Sequence, residues 1–298
     1  MLELKGKRLL VLGGTVSTYD VVSHAKELGA YVIVTDYLDG GVSKEIADES
    51  YTISTSDLDA LEQLVISKQI DGIFTGCSEV NIRFVQELCA RMKMPFYATP
   101  EQFAVSMNKK RFKEQCRKCG ISVAEEYLAQ NKEDLDKIRE YPVIINVEEL
   151  REAFEHALQY SKTGEVVVEK YIQGYDDICM YYTIQDGNVT LSAMTDRDVN
   201  TQQEGKAPQP NALLFPSRHL DSYMKNLHEN VKEFARSLQM QNGTMFIQAF
   251  VKGDEFIVFE MGYRLCGANE YVIVSKENEI NTLDMYIQMA LTGKFQGW

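Results

Sequence analysis

Glu260 sits inside the apolar run Phe256-Ile-Val-Phe-Glu-Met261. Burying a carboxylate there costs several kcal/mol unless a cation or hydrogen-bond donors meet it. Gln248 lies twelve residues earlier, in Gly243-Thr-Met-Phe-Ile-Gln-Ala-Phe250, and a hairpin turning at Lys252-Gly-Asp254 brings the two side by side. An amide oxygen and a carboxylate are both hard donors suited to Mg²⁺. The same pair also suits a Gln–Glu hydrogen bond beside a salt bridge from Arg264, and the pattern alone leaves both readings open.

A second acidic segment is Val166-Val-Val-Glu-Lys-Tyr-Ile-Gln-Gly174. Its backbone around Glu169, Lys170 and Ile172 is able to offer one acceptor and one donor to an adenine edge, and Asp176 to accept from a ribose hydroxyl. An amphipathic strand with a turn explains the same residues without a ligand. Arg197, between Asp196 and Asp198, is either a substrate contact or a salt-bridged anchor. Glu79, after Gly76-Cys-Ser78, either touches a polar substrate or is an early-turn acid favoured by a helix dipole. The four histidines and the Cys116/Cys119 pair make no metal-ligand pattern.

The elements that must position these residues alternate. Strands are expected at 7–13, 30–36, 48–53, 71–75 and 94–97, and helices at 19–28, 57–68 and 80–92. Such alternation means a parallel sheet covered on both sides, here a Rossmann-like first domain over residues 1–98. Gly13-Gly-Thr15 is not a complete GxGxxG fingerprint. Residues 107–119 and 148–160 read as helices, 122–128 as a short extended piece, 133–139 as helical and 142–145 as a strand. Beyond 166 the pattern turns antiparallel, with Asp186-Gly187 a hairpin signal. The polar stretch 195–216 reads as an irregular loop, 220–238 as one long helix and 281–291 as the last helix.

Against 31 lysines and arginines stand 44 aspartates and glutamates, a formal net charge of -13. That disfavours nonspecific binding to nucleic-acid backbones or acidic membranes. No apolar run long enough to span a bilayer is present, and Met1-Leu-Glu-Leu-Lys-Gly-Lys-Arg8 leads into no secretory signal. Six scattered cysteines make no disulfide framework. A cytoplasmic protein without nucleic-acid or membrane partners is expected.

Taken together, these segments resemble the ATP-grasp superfamily, in its carbamoyl-phosphate-synthetase-like and biotin-carboxylase-like branch. The resemblance rests on Asn108-Lys-Lys-Arg-Phe-Lys113, Val167 to Gly174, Gly243 to Phe250 and Phe259-Glu-Met-Gly-Tyr-Arg264. It implies an α/β plus α+β chain: the Rossmann-like domain, then an ATP-grasp domain over 99–298 with a small lobe around 122–174 and a metal-binding, catalytic lobe around 175–298. It implies that Lys109 reaches the ATP phosphates, that Glu169 faces the adenine amino group, and that Lys170 and Ile172 give it backbone contacts. Asp176 then binds ribose, Gln248 and Glu260 hold Mg²⁺, and Arg264 holds a substrate or an intermediate phosphate. The implied activity is ATP-dependent ligation of a small-molecule carboxylate to an amine through an acylphosphate, with a homodimer as the family expectation.

Three departures stand out. Ile145 meets Asn146 directly, where the family has a lysine, a glycine/serine-rich loop and another strand; Asn146 and Glu149 make a capping box at that junction. Gly262 replaces an asparagine ligand. The chain ends at Gly297-Trp298 with no further lobe. The phosphate-loop region and the C-terminus therefore read as incomplete, and a longer natural sequence is expected at both points. A non-catalytic nucleotide-binding relative is the alternative. A nucleotide-cofactor oxidoreductase built on the first domain is a third class, for which no hydride-transfer site is evident.

Overall fold

The computed structural model describes residues 4–136, 147–161, 164–170, 172, 174–200 and 209–296. The expected strand at 142–145, the junction of Ile145 with Asn146 and its capping box, and the chain end lie outside the described residues.

Strands β1 (Arg8–Leu12), β2 (Tyr31–Thr35), β3 (Glu49–Tyr51) and β4 (Gly72–Phe74) form a parallel sheet in the order β3-β2-β1-β4. Their apolar runs are continuous because both faces are covered. Leu9, Val11, Val32 and Val34 pack toward helix α1 (Tyr19–Glu27), whereas Leu10, Leu12 and Ile33 pack toward α3 (Leu58–Lys68) and α4 (Glu79–Met92). A short helix, α2 (Val42–Ile46), lies between β2 and β3.

Residues 94–97 form no strand. Pro95 has no N–H to give a ladder, and Phe96 and Tyr97 find better burial elsewhere. Tyr97 enters a cluster with Phe103, Tyr263 and Tyr286 and donates its hydroxyl to the Tyr263 carbonyl at 2.8 Å. Helices α5 (Pro100–Ser106) and α6 (Lys109–Lys118) follow. The Thr99/Gln102 capping box that starts α5 went unread in the sequence.

A small lobe pairs β5 (Glu126–Ala129) antiparallel with β6 (Val166–Glu169) and packs them on α7 (Lys132–Leu135) and α8 (Val147–Tyr160) through Leu135, Leu150 and Phe154. The main sheet has β7 (Asp176–Gln185), β8 (Asn188–Asn200), β9 (Gln209–Leu214), β10 (Gly243–Lys252) and β11 (Glu255–Gly262), antiparallel in the order β11-β10-β7-β8-β9. Asp186 and Gly187 turn the first hairpin with φ of 50° and 77°, the type I′ geometry.

Of the irregular loop expected at 195–216, residues 201–208 lie outside the described residues, and the described part is mostly strand, β8 running on to Asn200 and β9 pairing with it. Its charged residues misled because they are matched inside the sheet, Arg197 opposite Asp177. The single helix expected at 220–238 is two, α9 (Leu220–Asn226) and α10 (His228–Ser237), broken at Leu227 (φ -133°). Tyr223 and His228 both bond the buried Tyr182 hydroxyl, at 2.5 and 2.9 Å. Five positions apart, they face different sides of a straight 3.6-residue helix, and the break lets them converge.

Helices α11 (Glu270–Asn278) and α12 (Thr282–Thr292) end the fold. α12 returns to the first sheet beside β4, where a Cβ on Gly72 would lie 2.2 Å from the Ala290 carbonyl oxygen. One apolar cluster thus runs from Leu9 and Val11 through Ile287 to Ile247 and Met180 of the main sheet.

Candidate active site

Period-two alternation divides the main sheet into two faces. Ile178, Met180, Tyr182, Ile247 and Ala249 point to the large core. The other face carries Asp177, Cys179 and Tyr181 on β7, Phe246, Gln248 and Phe250 on β10, and Glu260 and Gly262 on β11, as the cross-strand registers require. Half of this face is closed: Cys179, Tyr181 and Phe246 pack with Cys266 and Val274 of the α11 region. The other half, from Gln248 toward Asp177 and Phe250, floors a cleft of about 720 Å³.

Gln248 stands directly opposite Glu260 because β11 has a bulge between the Gln248 and Ala249 pairings. That bulge leaves Phe259 unpaired and stacked on Phe250, rings 4.4 Å apart. Glu260 is exposed. The Gln248 amide oxygen accepts from Arg197 Nη1 at 3.1 Å, and the same nitrogen donates to both oxygens of Asp177 at 3.0 and 3.1 Å. Burial pushes the Asp177 carboxyl up to about 6; the Arg197 charge and hydrogen bond oppose this, and Glu260 adds to it. Arg197 is therefore a salt-bridged residue that also lines the cleft. Gln248 is bonded by Arg197, while Arg264 lies elsewhere.

At the cleft edge, Asp176 is paired through Oδ1 with Arg218 (3.1 Å) and through Oδ2 with His219 (2.9 Å). Arg218 also reaches Asp196. Ile172 lines the same cleft.

Glu169 lies directly opposite Glu126 in the small lobe. Such like-charged cross-strand pairs are unfavourable, and one side chain resolves this one. Lys113, fully buried one turn into α6, reaches Glu169 at 2.5 Å and Glu126 at 2.8 Å. Lys109, 69% exposed at the start of that helix, lies 3.7 Å from the other Glu169 oxygen. Burial raises the Glu169 pKa, but the Lys113 hydrogen bond and both lysine charges outweigh it and hold the carboxyl below its usual range. The Lys170 N–H donates to the Glu125 carbonyl at 3.0 Å.

Arg264, just past β11, turns toward the first sheet. It donates to the Leu265 carbonyl (3.0 Å) and Glu79 (3.4 Å), and its guanidinium covers the Phe246 ring at 5.1 Å. Nearby a second cavity of about 300 Å³ opens between the loops after β1 and β4 and the start of α11, lined by Ser17, Asp20, Cys77, Cys266, Asn269 and Tyr271 among others. The order in which the parallel strands are added reverses between β1 and β4, and in open α/β sheets ligands bind at the strand carboxyl ends where the order reverses.

The geometry thus brings Ile172, Asp176, Gln248 and Glu260 to one cleft. It gathers Lys109, Glu169 and Lys170 around β6, and sets Arg264 by the second cavity. Sequence reasoning missed Asp177, Lys113, Phe250 and Phe259. Phe250 was readable, since it is two residues from Gln248 and shares its face. For Mg²⁺ the donor chemistry fits in part: Gln248 and Glu260 offer adjacent hard oxygens, and Gly262 offers none. Among the described residues no group of three histidines, cysteines or acids is arranged to hold a metal, and no helix is long and apolar enough to cross a membrane.

The family model for the carbamoyl-phosphate synthase L chain, ATP binding domain, matches residues 139–295. Formate-dependent phosphoribosylglycinamide formyltransferase of Sulfurisphaera tokodaii is 22% identical over 313 residues, covering 96% of this chain and 76% of the relative. The biotin carboxylase of Campylobacter jejuni shares the fold with a TM-score of 0.79 at 21% identity, over 96% of this chain and 71% of that one. An L-amino acid ligase from Bacillus licheniformis does so with a TM-score of 0.78 at 17% identity, over 98% and 78%. With more than half its length matched by the family model, this chain belongs to the family of the carbamoyl-phosphate synthase L chain, ATP binding domain, within the ATP-grasp superfamily.

Proposed function

We propose that the protein is a Mg²⁺-dependent ligase that uses ATP to join a small-molecule carboxylate to an amine. The observation that carries this reading is Gln248 opposite Glu260 on the open half of the sheet, beside the stacked Phe250 and Phe259. In it, the aromatic pair gives the adenine an apolar platform, and the β6 end, through Glu169, Lys170 and Ile172, reads the base edge. Asp176 takes the ribose hydroxyls, exchanging its Arg218 and His219 partners for them. Lys109 leaves Glu169 for the phosphates, which its exposure permits. Mg²⁺, held by Glu260 and Gln248, would neutralise phosphate charge. We assign residues 1–98 to the acceptor side of the molecule and 99–298 to the nucleotide side.

A substrate carboxylate oxygen attacks the γ-phosphorus, the bond to the bridging oxygen breaks and ADP leaves. The amine nitrogen then attacks the acyl carbon, phosphate departs, and the amine proton passes to solvent. Arg264, whose guanidinium covers the Phe246 ring and reaches Glu79, orients the carboxylate or the departing phosphate. The relatives' names place formyl transfer and amino acid ligation in this fold.

The test is phosphate release from ATP and Mg²⁺ with panels of carboxylates and amines. The expected result is one phosphate and one ADP per amide formed, with both substrates required. A protein that binds no nucleotide by calorimetry refutes the reading. A second reading, a nucleotide-binding relative without catalysis, is favoured by Gly262. It predicts nucleotide binding with no substrate-dependent phosphate release.

A further inference from the structure

We propose that Arg197 is a built-in cation that makes divalent-metal binding at Gln248 and Glu260 conditional on bound nucleotide; this rests on the nucleotide site proposed above. One guanidinium nitrogen, Nη1, sits between three oxygens: Asp177 Oδ1 at 3.0 Å, Asp177 Oδ2 at 3.1 Å and Gln248 Oε1 at 3.1 Å. The Arg197 and Asp177 side chains are only 11% and 16% exposed, so the contact is sheltered from water. The side chain of Glu260, directly across the ladder from Gln248, has no hydrogen bond or ion pair among the described residues.

Without Arg197, this patch is two carboxylates and an amide oxygen, a set of hard donors that suits a divalent cation. With Arg197, the Gln248 oxygen is already committed to a positive charge. A metal ion on that oxygen would sit within a few ångströms of a guanidinium that does not lose its proton. Gly262 gives the metal nothing in return, because it has no side-chain oxygen. The free protein therefore lacks the ligands for a metal ion of its own. A nucleotide changes both terms: its phosphate oxygens supply coordination, and their charge draws the guanidinium away from Gln248.

The experiment titrates Mn²⁺, followed by electron paramagnetic resonance, into the full chain with and without a nonhydrolysable ATP analogue. Wild-type protein is expected to bind Mn²⁺ at least about tenfold more tightly with the analogue than alone. Arg197→Gln should bind Mn²⁺ alone about tenfold more tightly than wild type, and Arg197→Lys, which keeps the charge, should behave as wild type. Adding Glu260→Gln to Arg197→Gln should abolish the gain, which locates the ion. Wild-type protein that binds Mn²⁺ equally well with and without the analogue overturns the proposal without any variant. So does an unchanged Arg197→Gln, or a gain that survives loss of Glu260. Failure to bind the analogue at all counts against the nucleotide site instead, because the Mn²⁺-only comparison of wild type with Arg197→Gln still reads the role of Arg197.

Discussion

Installing an asparagine at Gly262 should destabilise the protein, because the space its side chain needs is filled. A Cβ there would lie 2.2 and 2.4 Å from Cε1 and Cζ of Phe246 and 3.1 Å from Cδ1. Carbon atoms in contact settle near about 3.5 Å, so the ring must retreat by roughly 1 Å. It has nowhere to go: Phe246 is 3% exposed and packs among Cys179, Tyr181, Cys266 and Val274, with the Arg264 guanidinium across its face. The backbone at 262 is outside the left-handed region, so the cost is one of volume alone. Overpacking of this kind costs about 1–3 kcal/mol. At 2–4 °C per kcal/mol, a loss of about 2 kcal/mol lowers Tm by about 4–8 °C.

The assay is a double-mutant cycle by urea denaturation. Phe246→Ala alone should lose about 3–5 kcal/mol as a buried aromatic truncation. In that background Gly262→Asn should cost nearly nothing, giving a coupling of about 2 kcal/mol. Gly262→Asn that is neutral in the wild-type background, or equally costly in both, refutes the reasoning. The glycine would then be a simple loss of a ligand, with no compensating phenyl ring.

Three further outcomes are expected. Lys113→Met leaves Glu126 and Glu169 facing each other; breaking a buried pair costs about 3–5 kcal/mol, and the partial exposure of both acids reduces this to about 2–3 kcal/mol in a urea midpoint measurement. Glu270 is 3% exposed, and burial, with the Cys266 thiol adding to it, pushes its carboxyl up to about 8 from the ordinary 4.5. The folded state then holds a proton that the unfolded chain has released, so stability falls as pH rises from about 4.5 to 8. Glu270→Gln, which keeps an acceptor for the Cys266 N–H, should flatten that slope in thermal melts across this range, by at most about 5 kcal/mol. Phe250→Ala, which removes half of the aromatic pair, should weaken ATP binding about tenfold by calorimetry while Tm changes little; unchanged affinity removes the platform from the site.

The broad fold was legible because its signals are local. Apolar runs ending in Gly13 and Asp36, the Asn108 start of a helix and the Asp186-Gly187 turn each declare their element within a few residues. What was not legible depended on partners far along the chain. The polar stretch from Thr195 reads as a loop until Asp177 is known to face Arg197. Lys113 reads as one more surface lysine of a basic helix until Glu126 and Glu169 are brought together over it.

The site itself depends on two register shifts that the hairpin signals alone do not reveal. In a hairpin with a two-residue turn, facing residues are separated by odd numbers, as in Lys252 with Glu255 and Ala249 with Val258. Gln248 and Glu260 are twelve apart, and Asp177 and Arg197 twenty. Both separations are even, so neither pair can face across a regular ladder. Each is opposed only because one residue is extra on the returning strand, Phe259 in β11 and Ser192 in β8. Without the β8 bulge Asp177 would meet Asp196, two like charges across a ladder. Without the β11 bulge Gln248 would meet Phe259, and Glu260 would share a face with the buried Ile247. A one-residue slip turns every later side chain to the opposite face, so the two bulges decide which face of the main sheet carries the polar cluster. The even spacing was already present in the sequence: choosing both the turn and the Gln248–Glu260 pair requires a bulge between them.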